Sequence, residues 1–133
     1  MDAYLRALVR ERAGDRCEYC RLRQQDEPLL RFQVDHITAL QHRGSDDLSN
    51  LALICTRCNW QKGPNIAGID PDTNLMTRLF HPRQDTWDDH FWLEGPMILG
   101  KTAIGRTTIW VLTMNRDDRI ELRSALLELG EEL

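Results

Sequence analysis

Lysine is nearly absent from this chain. Of its 17 cationic side chains only Lys62 and Lys101 are lysines, which leaves fifteen arginines. The planar guanidinium suits phosphate better than an ammonium does, so the bias keeps a nucleic-acid partner open. A net charge of −4 argues the other way, because nucleic-acid-binding domains are commonly basic. No apolar run approaches the ~18 residues that a bilayer span needs. The opening "MDAYLRALVRERAG" has no apolar h-region and does not read as a signal peptide. A cytoplasmic protein without membrane contact is therefore expected. Internal repeats and low-complexity segments are missing too. With 41% hydrophobic and 29% charged residues, the composition is that of an ordinary globular protein. At 133 residues the length implies one domain, with a modest core that a staple would help.

Cysteine is also scarce, but what there is falls into a pattern. Cys17 and Cys20 form one C-x2-C pair, Cys55 and Cys58 a second, and thirty-four residues separate them. Disulfides are not expected in a reducing compartment. Two C-x2-C pairs are the usual ligand set of a tetrahedral structural zinc site, because a two-residue spacer lets both thiolates of a tight turn meet one ion. A redox C-x-x-C would need only one of the pairs. The gap is longer than in a simple ribbon, so an element is inserted between the knuckles.

Residues 2–13 carry an apolar stripe of Tyr4, Leu5, Leu8 and Val9 at helical spacing, ending near Gly14. "LLRFQVDHI" reads as a strand, "HRGSDDLSN" as a polar loop, "LALIC" as a second strand and "TRCNWQKG" as a short helix closed by Gly63 and Pro64. The inserted order is thus strand, loop, strand, helix. Farther on, "NIAGIDPDTN" reads as a loop, "LMTRLFHPR" and "HFWLEG" as strands around a turn at "QDTWDD", and "MILGKTAIG" as a further strand. "TTIWVLTMN" and "RIELRSALLEL" are the last two helices.

The first inserted strand ends in adjacent Asp35 and His36. Neighbours on an extended chain point to opposite sides. In-line phosphodiester cleavage asks for that arrangement, since the attacking water and the leaving oxygen lie on opposite sides of phosphorus. His36 can take a proton from water, an imidazole being suited to general-base work near neutral pH. Asp35 can hold a hard divalent cation. Asn59 offers an amide oxygen as second ligand, and Lys62, three residues on, could meet a phosphate. Asn50 closes the loop, where an Asn side chain can bond to nearby backbone and hold a turn.

"VDHI", "LSNLALIC" and "CTRCNWQKG", with "CEYC" upstream, resemble the HNH endonuclease family in its four-cysteine zinc branch. The resemblance covers residues 17–63. It implies an α+β chain with a ββα-metal core stapled by a four-cysteine zinc site, flanked by an N-terminal helix and a C-terminal β/α extension. It implies His36 as general base, Asp35 and Asn59 as ligands of a catalytic Mg²⁺, Mn²⁺ or Ni²⁺, Asn50 as the loop-fixing residue, DNA as substrate, and products with a 5′-phosphate and a 3′-hydroxyl. Many members have histidine where Asn59 stands. On this reading residues 1–133 are one nuclease domain, with residues 1–70 as catalytic core and 71–133 as an extension without an assigned role.

Outside that stretch His42 reads as solvent-exposed, and His81 and His90 as structural or surface residues. Trp60, Trp87, Trp92 and Trp110 read as core or interface. Two other functions compete: a zinc-stapled nucleic-acid-binding module without hydrolytic activity, and a structural protein that presents its C-terminal half to a protein partner. Neither needs Asp35, His36 and Asn59 together.

Overall fold

The computed structural model describes every residue from Met1 to Leu133 as a mixed α+β fold. The N-terminal helix α1 (Ala3–Ala13) starts where the Asp2 side chain accepts from the Leu5 amide, and it stops at Gly14, whose φ of 62° suits glycine. The first knuckle follows. Strands β1 (Gln33–His36) and β2 (Leu51–Ile54) pair antiparallel, with Asp35 opposite Ala52 and His36 opposite Leu51. Helix α2 (Thr56–Lys62) leaves the second knuckle, and the Cys55 side chain is its N-cap, accepting from the Cys58 amide.

The second half adds the antiparallel pairs β3 (Ala67–Ile69) with β4 (Met76–Arg78) and β5 (Phe91–Glu94) with β6 (Met97–Gly100). A single turn of helix, α3 (Trp87–His90), leads into β5, and helices α4 (Ala103–Leu112) and α5 (Asp117–Glu128) finish the chain. No helix is long and apolar enough to cross a membrane.

All four residues of β2 are fully buried, and each of its leucines and its isoleucine contributes roughly 1.5–3 kcal/mol by leaving water. Helix α1 packs against β2, and α2 against β1 and α4. The same buried cluster holds Val9, Tyr19 and Phe32 from the first half and Phe80, Phe91, Ile98 and Leu112 from the second. The second half is therefore packed onto the knuckles. Arg119 of α5 makes the tie explicit, bonding both Glu27 carboxylate oxygens and pointing Nη2 at Cys55 Sγ, 3.8 Å away.

Several elements differ from their sequence expectations. The first strand is shorter than "LLRFQVDHI", because Leu29 and Leu30 lie exposed outside it. The expected loop at 65–74 contains β3, and only Met76–Arg78 of the strand expected over 75–83 pairs with it. Trp87 turns inward and draws "QDTWDD" into α3, its indole donating to the Tyr19 carbonyl at 2.8 Å. "MILGKTAIG" is half strand and half helix, since the Thr102 hydroxyl accepts from the Gly105 amide and starts α4.

Candidate active site

The four cysteine sulfurs lie within 4.8 Å of one another and all four residues are buried. Cys20 and Cys55 sulfurs are 3.7 Å apart, close to the ~3.8 Å edge of a tetrahedron with ~2.3 Å zinc–sulfur arms. Backbone amides of Cys20 and Cys58 aim at the Cys17 and Cys55 sulfurs, as a turn that presents thiolates to an ion requires. Burial pushes the Cys17 thiol well up, whereas contacts from Cys17, Cys55 and Cys58 hold Cys20 well down. Four sulfurs this close cannot all ionise without a cation among them. The donor set, spacing and burial fit zinc.

The strand register sends Asp35 and His36 to opposite sides of β1. Asp35 faces inward, where its carboxylate accepts from the Tyr19 hydroxyl at 2.9 Å and pairs with the Lys62 ammonium at 3.2 Å. Burial pushes the Asp35 carboxyl above its ordinary range, and the Lys62 charge and the Tyr19 hydrogen bond act against that rise. His36 faces outward, its Nε2 lying 2.7 Å from Asp46 Oδ1. That hydrogen bond holds the Asp46 carboxyl below the usual range. With Nε2 turned to Asp46, Nδ1 is the ring nitrogen left to accept a proton.

Asp35, His36 and Asn59 line one cleft of about 330 Å³, together with Val34 and Gly63. Asn59 donates its amide NH₂ to Gln33 Oε1 at 2.6 Å, which leaves its carbonyl oxygen for another partner. Asn50 is buried and spends its side chain wholly on the loop: Oδ1 accepts from the Thr38 amide at 2.8 Å, and Nδ2 donates to the Thr38 and Ser45 carbonyls. Those bonds close the segment that carries Asp46 against His36. Gly44 is part of the closure, because a Cβ there would stand 1.7 Å from the Thr38 carbonyl oxygen.

Lys62 overturns its sequence expectation. It is 1% exposed, and its ammonium also donates to the His36 and Ile37 carbonyls. Spacing from Asn59 suggests a shared outward face, but α2 buries the stripe formed by Cys58 and Lys62 one turn apart. Lys62 is thus a counter-charge for Asp35 and is absent from the cleft lining. Replacing it with alanine would strand a buried carboxylate, a loss of about 3–5 kcal/mol. Denaturant unfolding of the zinc-loaded variant checks this. The sign with pH is defined: Asp35 would titrate still higher without its partner, so the deficit should grow as pH rises through that raised pKa and shrink in acid. Unchanged stability would remove Lys62 from this role.

Tyr19 and Asp46 are not legible from spacing. Tyr19 is a spacer residue of the first knuckle, and its reach to Asp35 depends on how the knuckle docks on β1. Asp46 has only a weak signal, an acidic pair in the loop between His36 and Asn50. His81 and His90 lie apart from the cleft, the latter bonded to Thr102 at 2.6 Å and edge-on to Phe80. His42 is exposed. Trp87 is buried, whereas Trp60 and Trp110 stand mostly in solvent.

Residues 17–65 match the sequence model of the HNH endonuclease family. The chain is also similar to the Septu protein PtuB of Bacillus thuringiensis, 28% identical over 119 residues that cover 88% of this chain and 43% of that protein. A second relative is the Septu protein PtuA of Bacillus mycoides (strain KBAB4), 26% identical, with 90% of this chain and 20% of that protein covered. The chain spans less than half the length of either relative. No solved structure gives a significant match.

Proposed function

On the premise that residues 17–65 are an HNH endonuclease domain, we propose that this chain is a metal-dependent DNA endonuclease working as one unit over residues 1–133. The observation that carries the proposal is the shared cleft of Asp35, His36 and Asn59, with His36 held from its far side by Asp46. A water over phosphorus gives its proton to His36 Nδ1 as its oxygen bonds to phosphorus. The bond to the 3′ oxygen breaks on the opposite side, and that oxygen takes a proton from solvent water, leaving a 5′-phosphate and a 3′-hydroxyl. A divalent cation held by Asp35 and Asn59 would neutralise the charge on that leaving oxygen. Asn50 keeps the loop closed, so Asp46 and His36 stay in register. Zinc in the four-cysteine cluster would be structural, setting where α2 and its Asn59 begin.

One observation favours the non-hydrolytic binding module. Lys62 already neutralises Asp35, which weakens the pull on a second cation. Incubating supercoiled plasmid with the protein and Mg²⁺, Mn²⁺ or Ni²⁺ separates the two readings. The nuclease gives relaxed or linear product that depends on the added ion. Intact plasmid with every ion, despite DNA binding, would establish the binding module instead.

A further inference from the structure

A second groove, of about 670 Å³, opens on the other side of His36 and Val34 between α1 and the outer face of β1. Arg6, Arg10 and Arg31 line it, and no acidic side chain does. In a chain where 21 acids outnumber 17 bases, such a segregation of charge is local and one-sided. Arg10 is engaged within the protein: it donates to the Phe32 carbonyl and lies 3.7 Å from Asp15. Partial burial, then the charge of Arg31, hold the Arg10 guanidinium below the usual arginine range. Arg6 and Arg31 are exposed and hold no side-chain hydrogen bond or ion pair. Most other arginines of the chain are occupied, for example Arg57 by Asp118, Arg83 by Glu18 and Arg106 by Asp70. Two free guanidinium forks beside a proposed general base are placed to meet phosphates that flank the one being cut.

We propose that this groove is the track for the DNA backbone next to the cleavage site, with Arg6 and Arg31 each contacting a phosphate. The inference rests on the nuclease reading and adds to it a path for the substrate that begins on α1, outside the stretch matching the HNH family. It also reconciles a negative chain with a polyanionic substrate, because the contacts are few and confined to one face.

The test is the salt dependence of binding to a short fluorescent DNA duplex, measured on zinc-loaded protein without added divalent cation so that the duplex stays intact. Each phosphate contact contributes about 0.9 to the slope of log K against log salt. Arg6→Ala with Arg31→Ala should therefore lower the slope by roughly 1.8 and leave zinc content and circular dichroism unchanged. The double lysine variant, which keeps both charges, should retain the slope. Arg116→Ala, at a separate pocket that shares no residue with this groove, should have no effect. An unchanged slope in the double alanine variant, with wild-type binding intact, overturns the groove and spares the nuclease reading. An equal fall in Arg116→Ala overturns it as well, since the attraction is then diffuse. A wild-type protein that binds no duplex overturns both.

Discussion

Removal of the metal from the four-cysteine cluster is expected to unfold the protein. Structural zinc sites of this type carry on the order of 10 kcal/mol or more of binding free energy, and where the unfolded chain has no preformed site that energy is folding energy. Several ties converge on the cluster here. The four cysteines of the two knuckles belong to the buried core, Cys55 caps the helix that bears Asn59, and Arg119 brings α5 against Cys55 Sγ. Burial pushes the Cys17 thiol well up and the neighbouring sulfurs do the same to Cys58, and no disulfide ties the knuckles together, since all four cysteines are free. Elemental analysis should find one zinc per chain, and a strong chelator should abolish cooperative unfolding and the near-ultraviolet signal of buried Trp87. Protein that holds no zinc, or that keeps its fold after chelation, would contradict this.

Replacing His36 with alanine is expected to abolish cleavage while leaving the fold intact. The imidazole points away from the core, so its loss opens no internal cavity, and Asp46 is returned to solvent without a buried cost. On the proposed mechanism the variant loses its proton acceptor, a rate factor of ~10²–10⁴ or more for a positioned general base. Rates of plasmid relaxation for wild type and variant, each stripped of divalent ions and re-supplied, give the comparison. Duplex affinity and unfolding midpoint serve as controls, and both should stay near wild type. A variant that cuts as fast as wild type would place the chemistry elsewhere in the molecule.

Much of the site can be read along the chain, because its elements are local. Cys17, Cys20, Cys55 and Cys58 declare themselves by spacing, and the alternation of a strand already separates Asp35 from His36. Asn50 is legible for the same reason, since its bonds go to Thr38 and Ser45 in its own loop. Lys62 escapes such a reading because helical spacing says which residues share a face, and not which face is covered. Only the packing of α2 on β1 settles that. Tyr19 and Asp46 depend on contacts across the fold, where sequence distance carries no geometry. In the second half, β3 and β4 are three residues each and none of those residues is buried, so the strands are too short and too wet for alternation to mark them. The strand-to-helix change at Thr102 turns on one hydroxyl.

The closure of the loop between Thr38 and Asn50 bears on how a lineage of such proteins could diversify. Gly44 admits no side chain without parting the Thr38 carbonyl, and Asn50 has four hydrogen-bonding capacities of which three are spent on that loop. Drift is closed at those two positions. Between and beside them, Gln41, Arg43 and Ser45 are exposed, so selection can rewrite the outer rim of the loop while its inner lacing stays fixed. Variation among descendants should then concentrate in the exposed runs 41–43 and 45–49 on either side of a fixed Gly44, and the rim would be free to follow a changing target without disturbing the acid–imidazole pair it encloses.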